Sequence, residues 1–187
     1  MFQGAGVPSV GCATFRLTDM KTPVQSDIRV TPTSIENRFF RIALDRAGGI
    51  RRLYDKVNRR DVIARGSTGN DLQLMQDGPE GEDAWNVHAT NDKRHYAFEG
   101  TTSVRVIESG PVRGIVRVRR THRKSTIEQD IVVYADLGRI DFVTRVDWQE
   151  RQTMLKVAFP LEIRSPRAAF EVQFGAYERP PHRHPSW

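Results

Sequence analysis

Asp77, Glu80, Glu82 and Asp83 crowd together just ahead of Trp85. Paired carboxylates beside an aromatic platform are what glycoside hydrolysis needs: one acid, one nucleophile or base, and a ring to stack on a sugar. Gly78, Pro79 and Gly81 give the cluster an exposed, turn-rich setting. Acidic turns are also ordinary solvated turns, so the stretch reads as lining for a sugar site rather than as a complete catalytic pair. A second cluster, His182-Arg183-His184, would point two imidazoles the same way on a strand. A zinc site needs a third or fourth ligand, and Cys12 is remote in sequence. A third cluster is the basic run Arg113, Arg117, Arg119, Arg120, His122, Arg123 and Lys124. Nucleic-acid binding would require several of these cations unpaired on one face, because affinity comes from counterion release. No Gly-x-Ser-x-Gly elbow, Walker loop or dinucleotide fingerprint occurs. Gly66-Ser67-Thr68-Gly69-Asn70 lacks the lysine of a phosphate loop and reads as a turn.

The elements that must position these residues are strands. Alternation of apolar and polar residues with period two runs from Ile28 onward, and no segment shows helical spacing over ten residues. Phe40, Ile42 and Leu44 share one face. Ala47-Gly48-Gly49 supplies a hairpin turn, Ile50 to Tyr54 returns, and Asn58 marks the next turn. Residues 66–92 form a long loop with a short strand at Leu72 to Met75. Further strands are expected at 95–99, 103–108, 112–120, 127–135, 139–148, 154–163 and 169–175. The pattern is that of an all-β antiparallel sandwich.

One hairpin can be given a register. Val112, Val116 and Val118 face the core with Ile131 and Val133, which puts Val116 opposite Ile131 and Val118 opposite Gln129. The outer face then sets Arg117 against Asp130 and Arg119 against Glu128. A one-residue slip would turn the valines to solvent. Continuing through the turn Asp136-Leu137-Gly138, Val133 is expected to pair with Phe142 and Ala135 with Ile140, with Arg145 meeting Asp130. This pairing leaves only residues 120–124 as a loose basic cluster, so nucleic acid is not the expected partner.

The chain has 187 residues, 38% hydrophobic and 28% charged, with a net charge of +6. That composition suits a folded domain with a sizeable core. No apolar run approaches the roughly 18 residues of a membrane helix, so no membrane partner is expected. The single cysteine, Cys12, permits no internal disulfide. The N-terminal residues lack a signal-peptide pattern. The cytoplasm is therefore the expected compartment, with vacuole or lysosome as alternatives.

A set of ordered patches carries a resemblance. They are Glu36-Asn37-Arg38-Phe39-Phe40-Arg41-Ile42, Gly48-Gly49-Ile50-Arg51-Arg52-Leu53-Tyr54-Asp55-Lys56, Asp83-Ala84-Trp85, Arg139-Ile140-Asp141-Phe142, Val146-Asp147-Trp148, Leu155-Lys156-Val157-Ala158-Phe159-Pro160 and Phe174-Gly175-Ala176-Tyr177-Glu178-Arg179-Pro180. In this order they resemble the C-terminal β-sandwich region of family 38 α-mannosidases.

The resemblance implies a galactose-mutarotase-like supersandwich over residues 28–187, incomplete at its C-terminus. Pro8, Gly11 and Pro23 make residues 1–27 a turn-rich lead-in, expected to hold a short strand and a linker. It implies a retaining, zinc-dependent enzyme acting on terminal α-linked mannose. The zinc and the nucleophile would lie in a catalytic barrel that this chain lacks, and the sandwich would wall the active-site side. No catalytic or metal residue is expected here. Asp77, Asp83, Trp85, Asn86, Arg179 and His182 are the substrate-proximal candidates, with Asn86 standing where the family carries a second Asp. Trp148 and Phe159 are expected in the core. The expected partners are the barrel of the same enzyme and mannosides. Exposed strand edges such as 169–175 add a tendency to self-associate. The alternative reading is a stand-alone carbohydrate- or partner-binding sandwich without hydrolytic activity.

Overall fold

Alternating apolar residues become two facing antiparallel sheets in the computed structural model of the chain, which describes residues 4, 6–16, 18–19, 25–79 and 94–181. The first sheet has strand order β1-β2-β3-β4-β5. Its members are β1 (Arg29–Thr31), β2 (Ser34–Glu36), β3 (Phe40–Leu44), β4 (Ile50–Asp55) and β5 (Arg60–Asp61). The second has order β11-β10-β9-β8. It is built from β8 (Thr102–Ser109), β9 (Arg113–His122), β10 (Ser125–Tyr134) and β11 (Ile140–Asp147). Between them sits a core of Ile35, Ile42, Leu44, Ile50 and Ile63 from one side and Val116, Val118, Ile131 and Val133 from the other. No helix occurs among the described residues, and none there is long and apolar enough to cross a membrane. The described part of residues 1–27 contains no strand, where one short strand was expected.

The β9–β10 register is as expected: Val116 faces Ile131, Val118 faces Gln129, Arg117 faces Asp130 and Arg119 faces Glu128. Arg117 grips Asp130 through two bonds of 2.7 and 2.8 Å and also reaches Glu128 at 3.2 Å. The β10–β11 register differs by two residues from the expectation. Val133 pairs with Ile140, Ile131 with Phe142, and Arg145 stands opposite Glu128. Backbone groups at the end of β10 are taken up by partners outside β11. The Ala135 N–H donates to the Val112 carbonyl at 3.0 Å, and the buried Asn37 amide donates to the Tyr134 carbonyl at 2.7 Å. Arg145 still lies 3.8 Å from Asp130.

Two smaller sheets complete the described structure. One has order β12-β6-β7, from β6 (Asp71–Gln76), β7 (His95–Tyr96) and β12 (Thr153–Ala158). The strand expected over 154–163 stops at Ala158 because Pro160 has no N–H to continue a ladder. The Pro160 carbonyl instead accepts the Ala64 N–H at 2.9 Å. Phe159 is 39% exposed rather than core, its ring edge-on to Phe142 at 5.3 Å, and Trp148 is only half-buried. The other sheet is a hairpin of β13 (Ala168–Val172) and β14 (Gly175–Arg179), which among the described residues pair only with each other. The single strand expected over 169–175 therefore turns back at Gln173–Phe174, where Phe174 adopts φ 65°.

Candidate functional site

Asp77 leaves the end of β6, the central strand of its sheet, and its N–H donates to the Gln152 carbonyl at 2.9 Å. Just before it, Gln76 ties the two ends of the acidic segment together. Its N–H donates to the Arg94 carbonyl at 2.9 Å, and Arg94 Nη1 donates back to Gln76 Oε1 at 2.9 Å. The segment that begins at Asp77 is thus clasped at its base before β7. Asp83, Trp85 and Asn86 lie outside the described residues, as does His182.

Arg179 closes β14 opposite Ala168. Its guanidinium lies 4.0 Å from the centre of the Phe170 ring, close enough for a cation–π contact. The hairpin presents Phe170, Val172, Phe174 and Tyr177 to solvent, and Phe174 is fully exposed at the turn. Asp77 follows β6 and Arg179 ends β14, strands that belong to different sheets. Among the described residues, no group of three or more His, Cys, Asp or Glu is placed to hold a metal ion.

The basic run does not form an open cationic face. Residues 116, 118, 120 and 122 share the inward file of β9, so Arg120 and His122 are buried behind Val116 and Val118. The expected loose cluster at 120–124 is corrected on this point. The Arg120 Nε donates to the Ala47 carbonyl at 2.9 Å, Nη2 reaches the same oxygen, and the guanidinium stacks over Phe98 at 5.3 Å. Burial pushes its pKa down, partly offset by Asp45 and Asp71. His122 Nδ1 accepts the Glu99 N–H at 3.1 Å, and Arg123 pairs with the Glu99 carboxylate at 2.9 Å. Arg113 pairs with Glu108 at 2.9 Å.

A buried polar network joins this end of the core. Asn70 Nδ2 donates to Gln129 Oε1 at 2.6 Å and to the Gly48 carbonyl at 3.3 Å, while Gln129 Nε2 donates to Thr144 Oγ1 at 3.0 Å. Sequence reasoning missed this network. The available signal was the appearance of Gln129, Arg120 and His122 at inward positions of otherwise apolar strands.

Comparison with known proteins adds the following. Residues 35–187 match the model of the glycosyl hydrolases family 38 C-terminal domain. Alpha-mannosidase G of Dictyostelium discoideum is 36% identical over 160 residues, covering 82% of this chain and 14% of that protein. Alpha-mannosidase 2C1 of Mus musculus is 34% identical over 158 residues, covering 82% of this chain and 15% of that protein. An alpha-mannosidase of Saccharomyces cerevisiae is 30% identical over 126 residues, covering 63% of this chain and 12% of that protein.

Proposed function

Because the chain belongs to glycosyl hydrolase family 38 through its C-terminal domain, we propose that it is the non-catalytic sandwich of a retaining, zinc-dependent α-mannosidase acting on terminal α-linked mannose. The observation that carries this reading is the family match across residues 35–187. The named relatives, all called alpha-mannosidases, support it. The zinc and the nucleophile belong, on this reading, to the catalytic barrel outside these residues, and no step is assigned to a metal held by the described side chains. The sandwich walls the active-site side of that barrel. Asp77, Asp83, Trp85, Asn86, Arg179 and His182 are assigned to the substrate-proximal side. The clasp below Asp77 and the exposed hairpin carrying Arg179 are compatible with that role, since loops and hairpins on a rigid sandwich commonly carry contacts.

Hydrolysis of an aryl α-mannoside, with zinc present, tests the reading. It is measured for this chain, for the catalytic half of a related enzyme, and for the two mixed. The expected result is silence from this chain alone and more activity in the mixture than in the catalytic half. Turnover by this chain alone, or a mixture no better than the catalytic half, would overturn it.

A further inference from the structure

A groove of about 630 Å³ runs beside β4, lined in part by Arg51, Arg52, Asp61, Ile63, Arg65 and Glu162. None of these is among the substrate-proximal candidates. Two backbone features aim arginines into it. In β4, Ala43 pairs with Arg52 but Leu44 pairs with Ile50, so Arg51 is an extra, bulged residue. Regular alternation would send Arg51 and Arg52 to opposite faces, whereas the bulge leaves both exposed side by side. A tight turn follows β5, closed by the Ser67 N–H on the Ala64 carbonyl at 3.0 Å with Gly66 at φ 80°. It presents Arg65. The far wall comes from another part of the chain. Leu161 bridges to Ile63, and the Glu162 N–H donates to the Val62 carbonyl at 2.8 Å, which brings Glu162 to the same groove.

The charges are unevenly satisfied. Arg52 is held by Asp61 through bonds of 2.6 and 3.2 Å. Arg51 is only loosely engaged, 3.7 Å from Asp45 and 3.3 Å from Thr68 Oγ1. The other oxygen of Asp45 is occupied by the Ala47 and Gly49 N–H groups, each at 2.8 Å. Arg65 and Glu162 make no ion pair among the described residues. Two underused guanidiniums on separate elements suit a dianionic phosphate, which arginine forks bind through paired hydrogen bonds. Asp61 and Glu162 oppose a polyanion, yet a carboxylate accepts hydrogen bonds from sugar hydroxyls. Ile63 and Ala64 supply the apolar part of the lining.

We propose that this groove binds a phosphorylated sugar, with Arg51 and Arg65 holding the phosphate and Glu162 accepting hydrogen bonds from ring hydroxyls. The site stands on the groove alone and does not require the mannosidase reading. Its test is equilibrium binding by this chain without a catalytic half, so the two can fail separately.

Titration of the full chain with a hexose 6-phosphate, inorganic phosphate and the neutral hexose, followed through the backbone amides of Gly66 and Ser67, decides it. The hexose phosphate should saturate with Kd on the order of 1 mM or tighter, at least about tenfold tighter than either fragment. Arg65→Ala should weaken it about tenfold, and Arg65→Lys should restore part of the loss. Glu162→Gln should narrow the advantage over inorganic phosphate. Both substituted positions are exposed, and a thermal melt confirms that each variant is folded. Equal affinity for inorganic phosphate and hexose phosphate, or binding indifferent to Arg65→Ala, would overturn the site.

Discussion

Glu36 shows how one side chain can couple pH to the fold. Its carboxylate receives Arg41 at 3.0 Å and Lys56 at 2.8 Å, and these two, the Arg41 bond first, lower its pKa from the ordinary 4.5 to about 2. A depressed carboxylate contributes its full stabilisation above its unfolded pKa and loses it as pH falls toward the folded value. Glu36→Gln should therefore be less stable than the parent at neutral pH by about 1 kcal/mol, given the solvent exposure of Arg41. The two proteins should converge between about pH 4.5 and 2. Urea denaturation across that range measures the difference, and a constant gap down to the lower limit would contradict the assignment. The same scale shows what single letters conceal. Arg120 and His122 look like members of a basic surface run, but the parity of β9 had already put them inside with Val116 and Val118. Arg51 is the reverse case. Parity alone misplaces it, because a bulge is set by pairing with β3 and leaves no mark in the alternation.

At the scale of elements, the β9–β10 hairpin was legible because a one-residue error would expose its valines. The β10–β11 hairpin was not, because a two-residue shift keeps Val133, Ile140 and Phe142 facing inward. Alternation cannot tell the two registers apart. What separates them is the contact of Asn37 with the Tyr134 carbonyl, made between residues 97 apart in the chain. The candidate site was legible only as a set of residue types. Its placement depends on which sheets carry β6 and β14, and no local pattern encodes that. The turn between β3 and β4 was legible from Gly48-Gly49, and the structure adds a reason beyond the turn. Gly48 has φ 79°, and a β-carbon there would lie inside the Val118 isopropyl group. Gly48→Ala should cost about 1–3 kcal/mol through backbone strain and overpacking together. A shift in the denaturation midpoint without a change in slope would confirm it, and an unchanged midpoint would refute it.

At the scale of the whole molecule, the described surface exposes large apolar side chains on two successive segments. Val157, Phe159, Leu161 and Ile163 are each at least 39% exposed, and the β13–β14 hairpin adds Val172, Phe174 and Tyr177. Exposed apolar patches with open strand edges favour association. Phe174→Asp should lower the sedimentation coefficient of the chain at high concentration while leaving its melting temperature within about 1–2 °C. An unchanged coefficient would place any association elsewhere. The hairpin has a kinetic consequence as well. Among the described residues its ladder hydrogen bonds are shared with no other strand, so opening it need not disturb Val116, Ile131 or Val133 in the core. Deuterium should enter the amides of Phe170 and Tyr177 at a rate insensitive to mild denaturant. The central amides of β9 and β10 should exchange only through global opening, which makes the chain two cooperative units rather than one.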